Sequence, residues 1–355
     1  MNKKSLIRNV ILVFAILIVV IIVVCSIGDI KEIYRVLTTQ CNYLYILVCL
    51  GLLIGYCFCF QLSLTIMMKH RMKSLNVVDS MFISGSEFFF NGITPFSTGG
   101  QPYQVYGFRK KGVRLSTGTS VLLVNFLVYQ ISLNILLIVG ISVYFPKLQQ
   151  EVPDLLWLII VGFLLNFLTM IVILALGLTK TANKFLNVMF KFLCKFKLMR
   201  RILAKKIPHI HQSIANMQGA FKEISKNIPL MLLCSAIKFV GFALYYSIPF
   251  FVFYALGVNL QFREIFYIIA MASFALAITA WVPTPGASGG AELAFTALFG
   301  ALPEIAAASA GNSTLAVSGM VLWRFVTYYF VMIYGFVMYT TFEGRLKSYE
   351  SKFLF

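Results

Sequence analysis

Four ionisable side chains lie inside apolar stretches of this chain: Glu87, Lys238, Glu292 and Arg324. A charge in hydrocarbon is costly, so such residues face protein or a water-filled path and mark sites of ion, proton or headgroup chemistry. Two of each sign allow pairing, the two glutamates with Lys238 and Arg324 in either combination. The alternative role is a salt-bridged network that only holds helices together. Near two of these charges lie two copies of one helix-breaking motif. Thr94-Pro95-Phe96-Ser97-Thr98-Gly99-Gly100 matches Thr284-Pro285-Gly286-Ala287-Ser288-Gly289-Gly290. Gly-Gly permits close backbone approach. Amide N–H groups at the start of a half-helix attract an anion such as a phosphate. The candidate substrate-binding residues are therefore Thr94, Ser97, Thr98, Gly99, Gly100, Gln101, Thr284, Gly286, Ser288, Gly289, Gly290 and Glu292.

The elements that must position these residues follow from composition. The 355 residues are 60% hydrophobic and 12% charged, which excludes an ordinary soluble globular protein. Several runs reach the ~20 apolar residues that cross a bilayer. No dyad alternation of a barrel appears, so the spans are helical. The expected fold is an all-α polytopic helical bundle, one membrane domain over 1–355, with about six full spans and two re-entrant or broken hairpins at about 81–108 and 265–300. A net charge of +18 would suggest nucleic acid in a soluble chain. Here the basic residues cluster in particular loops, which fits membrane orientation and anionic headgroups instead.

Taken in order, 9–27 reads as a retained first span, too long for a signal-peptide core. A short loop over 29–40 leads to an inward span over 42–67. Met81 to Ile93 would be only about 20 Å long as a helix, and basic residues flank both sides of the hairpin that it begins: Lys69, Arg71 and Lys73 before, Arg109 to Lys111 and Arg114 after. The positive-inside rule places both ends in the cytoplasm, with the motif at the tip. Spans over 121–144 and 155–178 follow, joined by an outer loop over 146–154. Segment 179–228 holds eleven Lys/Arg against one acidic residue, Glu223, and reads as a cytoplasmic loop whose amphipathic helices rest on acidic lipid. A span over 229–256 leads to the second hairpin, then an outer loop over 301–313 and a last span over 315–341. Both termini fall in the cytoplasm. Of the 30 Lys/Arg, only Lys31, Arg35, Lys147 and Arg263 lie outside, with Lys238 and Arg324 within spans. The hairpins thus enter from opposite faces, an inverted arrangement with both tips near the midplane. Ile265 to Val282, about 27 Å as a helix, is also long enough to cross fully.

Motifs of soluble enzymes are absent: no phosphate-binding loop of a nucleotide hydrolase, no Gly-x-Ser-x-Gly, no zinc-protease helix and no dinucleotide fingerprint. Cys57-Phe58-Cys59 and His209-x-His211 lack the further ligands of a zinc site. No metal or cofactor is expected, and no nucleic-acid partner.

The stretch Asn91 to Tyr106, with Pro283 to Glu292, resembles the lysylphosphatidylglycerol synthase/flippase transmembrane family, the membrane portion of the bacterial multiple peptide resistance factor and its stand-alone relatives. The resemblance runs from the first span to the last. It implies a flippase of the cell membrane that moves an anionic or aminoacylated phospholipid between leaflets and so resists cationic peptides, with the two Gly-Gly motifs and Glu292 as its site. Gln101 stands where many relatives carry an acidic residue. Full-length relatives add a soluble domain that transfers lysine from lysyl-tRNA to phosphatidylglycerol; no such domain is expected after Thr341 here, so the chain is not expected to be an enzyme by itself. The alternatives are a phosphatidylglycerol lysyltransferase, or a membrane partner of a separate synthase.

Overall fold

The computed structural model describes residues 30–179, 207–308 and 314–352. Among them helices joined by turns make up the fold, with no strand, and six helices are long and apolar enough to cross a membrane. The expected first span over 9–27 lies outside the described residues.

Helix α1 (Ile30–Thr39) occupies the stretch expected as a loop. Helix α2 (Tyr43–Arg71) starts where Asn42 Oδ1 accepts the Leu44 N–H, and its last turn carries the cations Lys69 and Arg71, which suit a helix C-terminus. Asn76 caps α3 (Val77–Gly85) in the same manner. Ser86 then interrupts the helix: its hydroxyl turns back to the Phe82 carbonyl, and α4 (Glu87–Gly92) continues for barely two turns. Helix α5 (Gly100–Lys110) returns alongside both. Gly100 faces Glu87 and Asn91 near the tip, and Gly107 faces Ile83 near the foot. These three segments form the first helical hairpin, none long enough to span.

Helix α6 (Leu115–Glu151) is the longest, and runs through Pro146 into what the sequence suggested as an outer loop. Helix α7 (Leu156–Leu178) packs on it. Helix α8 (Ile207–Ser225) covers the described part of the basic segment. It docks on α6 with Phe221 and Ile224 buried, and Gln218 donates to the Leu176 and Thr179 carbonyls. This helix is thus anchored to the bundle, where the sequence suggested one resting on lipid. The next span breaks at Ser247, before Pro249, into α9 (Ile228–Tyr246) and α10 (Ile248–Ala255).

The second hairpin pairs α11 (Ile265–Thr279) with α12 (Gly290–Gly300). With its leading turn, α11 qualifies as a span by length and composition, so its length does not make it re-entrant. A short α13 (Pro303–Ala308) follows inside the expected outer loop. The last span consists of α14 (Thr314–Arg324), a π-helical turn over Phe325–Phe330, and α15 (Val331–Lys352).

One core cluster surrounds the second hairpin, and another fills the space beneath the first. Large apolar side chains such as Leu44, Leu47, Trp157, Leu164, Leu168 and Leu232 point outward. On a soluble protein such a surface would drive association; on these helices it matches lipid. At the foot of the first hairpin, Asp79 pairs with Lys111 and Arg345, each at 2.8 Å. Burial raises the Asp79 carboxyl, but the two cations outweigh it and hold it below the ordinary carboxylate value. The ion pairs tie α3 to the end of the last helix.

Candidate functional site

The repeated sequence motif produces repeated geometry. Phe96 and Gly286 occupy equivalent places with φ of 54° and 60°, and Ser97 and Ala287 follow with 50° and 53°. In both copies the third residue after the threonine donates to its carbonyl: Ser97 to Thr94 at 3.2 Å and Ala287 to Thr284 at 3.0 Å. The next amide and hydroxyl turn back on the proline carbonyl, Thr98 on Pro95 and Ser288 on Pro285. Two overlapping turns result, the first with proline at its second position and positive φ at its third. Gly286 meets that demand without a Cβ, whereas Phe96, Ser97 and Ala287 meet it under strain.

The two tips touch. The backbones at Pro95 and Pro285 pair in an isolated antiparallel bridge. Neither proline has an N–H to donate, so the bridge is carried by the residues beside them. Most candidate motif residues are therefore brought to one place from opposite ends of the chain.

The start of each half-helix is already capped by its own residues. Gly99 N–H donates to Thr94 Oγ1 at 2.8 Å, and Gly100 N–H to Asn91 Oδ1 at 2.9 Å. In the second copy Gly289 N–H donates to Glu292 Oε2 at 2.7 Å, and Thr284 Oγ1 to the Ser288 carbonyl at 2.8 Å. The Gly99, Gly100 and Gly289 amides, expected to attract an anion, are thus occupied in this conformation. The copies diverge at the helix N-cap: Gly289 has φ of 89°, while Gly99 stays at −76°.

Arg324 serves the second tip. Its Nη2 lies 2.9 Å from Glu292 Oε2, and its Nε 2.9 Å from Oε1, the latter contact lacking hydrogen-bond alignment. Nη1 donates to the Gly286 carbonyl at 3.0 Å. Glu292 is 0% and Arg324 4% exposed, so this is a buried, multiply bonded pair. It answers which glutamate meets Arg324. The π-helical turn begins immediately after Arg324, and such bulges re-aim side chains at functional positions. One consequence is Tyr328. Its hydroxyl donates to the Gly92 carbonyl of the first hairpin at 3.0 Å, and its ring fills the place of a Cβ on Gly286. Tyr328 is therefore wedged between the hairpins.

Glu87 and Lys238 form the second opposed pair. Glu87 accepts from Gln104 Nε2 at 2.8 Å and Asn91 Nδ2 at 3.3 Å. Lys238 is 1% exposed, stands 4.2 Å over the Phe60 ring and has Glu87 as its principal opposing charge. The two share a field without an ion-pair contact. The Phe60 ring packs in turn on Tyr56 and Tyr129, and Tyr56 packs on Phe88 and Tyr245.

Sequence reasoning missed Asn91, Gln104 and Tyr328. Asn91 and Tyr328 each stand four residues from a flagged charge, Glu87 and Arg324, a helical spacing that could have drawn attention to them. Nothing in the sequence announces the π-turn. Gln101 stays partly exposed in the first turn of α5.

The model of one family, the lysylphosphatidylglycerol synthase TM region, matches residues 10–335. The chain belongs to this family. It is a multi-pass membrane protein of the lysylphosphatidylglycerol synthase membrane type. No curated protein and no solved structure matched it. Both motif copies and all four intramembrane charges fall within the matched region.

Proposed function

We propose that this chain translocates a phospholipid, anionic or aminoacylated, between the leaflets of a bacterial plasma membrane, and so contributes to resistance against cationic peptides. Both termini face the cytoplasm in this reading, and the two hairpins enter from opposite faces. The observation that carries it is the meeting of two matched broken-helix tips at Pro95 and Pro285. Interrupted helices from two repeats, placed end to end, are the arrangement in which transporters build midplane sites and alternate access. The lipid named in the family's description supplies the substrate class.

A lipid headgroup cannot cross hydrocarbon unaided, because its charge and polar atoms would lose water without replacement. The tips offer replacement: hydroxyls of Ser97, Thr98, Thr284 and Ser288, and amides now held by Thr94, Asn91 and Glu292. A phosphate arriving at a parted tip exchanges for these internal caps. Arg324 stays neutralised by Glu292, which keeps the second tip folded while the lipid passes.

The test is translocation in proteoliposomes. Labelled phosphatidylglycerol and lysyl-phosphatidylglycerol are scored by leaflet accessibility, for the native chain and Glu292→Gln, with monodispersity as the folding control. Rapid translocation that the folded variant loses is expected. Equal rates in protein-containing and empty vesicles for both lipids would refute the reading.

A further inference from the structure

The last helix brings a carboxylate to the side of the first hairpin, where Tyr103 Oη donates to Glu343 Oε1 at 3.3 Å. Glu343 is partly exposed, and among the described residues it forms no ion pair. Lys111 and Arg345, at the foot of the same hairpin, both pair with Asp79, and Lys110 Nζ stands 5.8 Å over the Tyr106 ring. A carboxylate that pairs with none of these cations is the odd group at this end of the bundle. Rings gather beside it. Tyr103 stacks on Phe90 at 4.3 Å, and Tyr339 stands edge-on to both at 5.3 Å. Tyr106, 46% exposed, lies 6.1 Å from Tyr103. Tyr339 precedes Glu343 by one helical turn, so the carboxylate and the tyrosines share one patch where side chains of α5 and α15 meet. The last apolar stretch runs over Thr314–Leu346, which places Glu343 in its final turn, at the level of lipid headgroups. Tyrosines are common at that level, but a belt of them calls for no carboxylate. Ring faces and a carboxylate together suit a cation: the rings attract it through their quadrupoles, and the carboxylate supplies a charged hydrogen bond.

We propose that Glu343, with Tyr103, Tyr106 and Tyr339, forms a docking site for the primary ammonium of an aminoacylated phospholipid, and that Lys110 takes the phosphate of the same lipid. The proposal rests on the translocation reading and selects, of its two substrate classes, the aminoacylated one. A phosphoglycerol headgroup meets Lys110 but presents only uncharged hydroxyls to Glu343. An aminoacyl ester on that glycerol brings the missing cation. The patch also adjoins the first tip. Phe90, whose ring stacks on Tyr103, accepts the Thr94 hydroxyl with its carbonyl, and that hydroxyl caps Gly99. A headgroup held at Glu343 therefore waits beside the hairpin whose tip it is to pass.

The test reads binding rather than transport, so a failure here and a failure of the translocation reading are told apart. The purified full chain in detergent is titrated with short-chain lysyl-phosphatidylglycerol, with phosphatidylglycerol, and with lysyl-phosphatidylglycerol acetylated on both amines. Affinity is measured for the native protein, Glu343→Gln and Tyr106→Leu, with melting temperature as the folding control. The native protein is expected to bind lysyl-phosphatidylglycerol about tenfold more tightly than either other lipid, the weight of one charged hydrogen bond. Glu343→Gln, nearly isosteric, should erase that preference, and Tyr106→Leu, at an exposed position, should reduce it severalfold. Neither variant should change the affinity for phosphatidylglycerol. Soluble lysine ethyl ester should compete only weakly; competition as strong as the lipid's would make the ligand a free amino compound and overturn the lipid assignment. Equal affinity of the native protein for the acetylated and unmodified lipids, or an undiminished preference in either folded variant, would overturn the proposal.

Discussion

The backbone of Pro95 lies paired with that of Pro285, so two turns written by the same motif meet head to head. Each turn holds two consecutive residues in the left-handed region, and each is capped by a side chain of its own hairpin. What joins them beyond the bridge is Tyr328, which touches both.

Substitution of Gly286 tests this wedge. A Cβ there would collide with Tyr328 Cε2. Gly286→Ala should lower the melting temperature by several degrees, a loss of about 1–3 kcal/mol from overpacking. Adding Tyr328→Leu should recover part of it, because the ring that clashes is gone. Failure of the double variant to recover would place the conflict elsewhere.

Glu292 and Arg324 should behave as a coupled pair. Leaving either charge buried without the other costs about 3–5 kcal/mol. Glu292→Gln or Arg324→Met alone should therefore destabilise strongly, while the double variant should cost less than the sum. Additive losses in thermal unfolding would mean that the two side chains act independently.

Positive φ at Ser97 predicts opposite effects of two substitutions. Ser97 sits at 50° and is exposed. Glycine there should be neutral or gain up to about 1 kcal/mol, since the left-handed region costs an L-residue about that much. Valine, branched at Cβ, should lose more than about 1 kcal/mol. Melting curves of both variants decide the matter.

Asp79 should make the foot of the first hairpin acid-sensitive. Its folded pKa lies below the ordinary value of about 3.9, so its two ion pairs contribute fully above that pH. The contribution falls away as pH drops below it and is absent once the folded group is protonated. Asp79→Asn should lower stability at pH 7 but narrow its difference from the native chain near pH 3. A constant difference across that range would contradict the pairing with Lys111 and Arg345.

Much of the fold was legible because hydrophobic length and loop charge report directly on membrane spans. The two hairpins were visible because proline and Gly-Gly cannot sit quietly in a helix, and their repetition showed that the breaks correspond. Other features were hidden for physical reasons. The continuation of α6 past Pro146 reflects the tolerance of long packed helices for a single proline, which composition alone reads as a loop. The choice of Glu292 for Arg324 depends on the packing of α12 against α14, which no residue type encodes. The self-capping of the tips was equally hidden, since Asn91 reads as an ordinary polar residue and Thr94 as a donor for a ligand until the chain folds back on them.

The claim at the centre of this account is that the paired tips must part for lipid to pass. Phe96 and Thr284 flank the bridge on facing strands of backbone, so Phe96→Cys with Thr284→Cys, in a background with the native cysteines replaced, allows the tips to be locked by oxidation. Translocation in proteoliposomes should be lost on oxidation and restored by reductant, while the rate of each single-cysteine chain, whatever its level, should not change on oxidation. Undiminished translocation in the quantitatively cross-linked protein would contradict it.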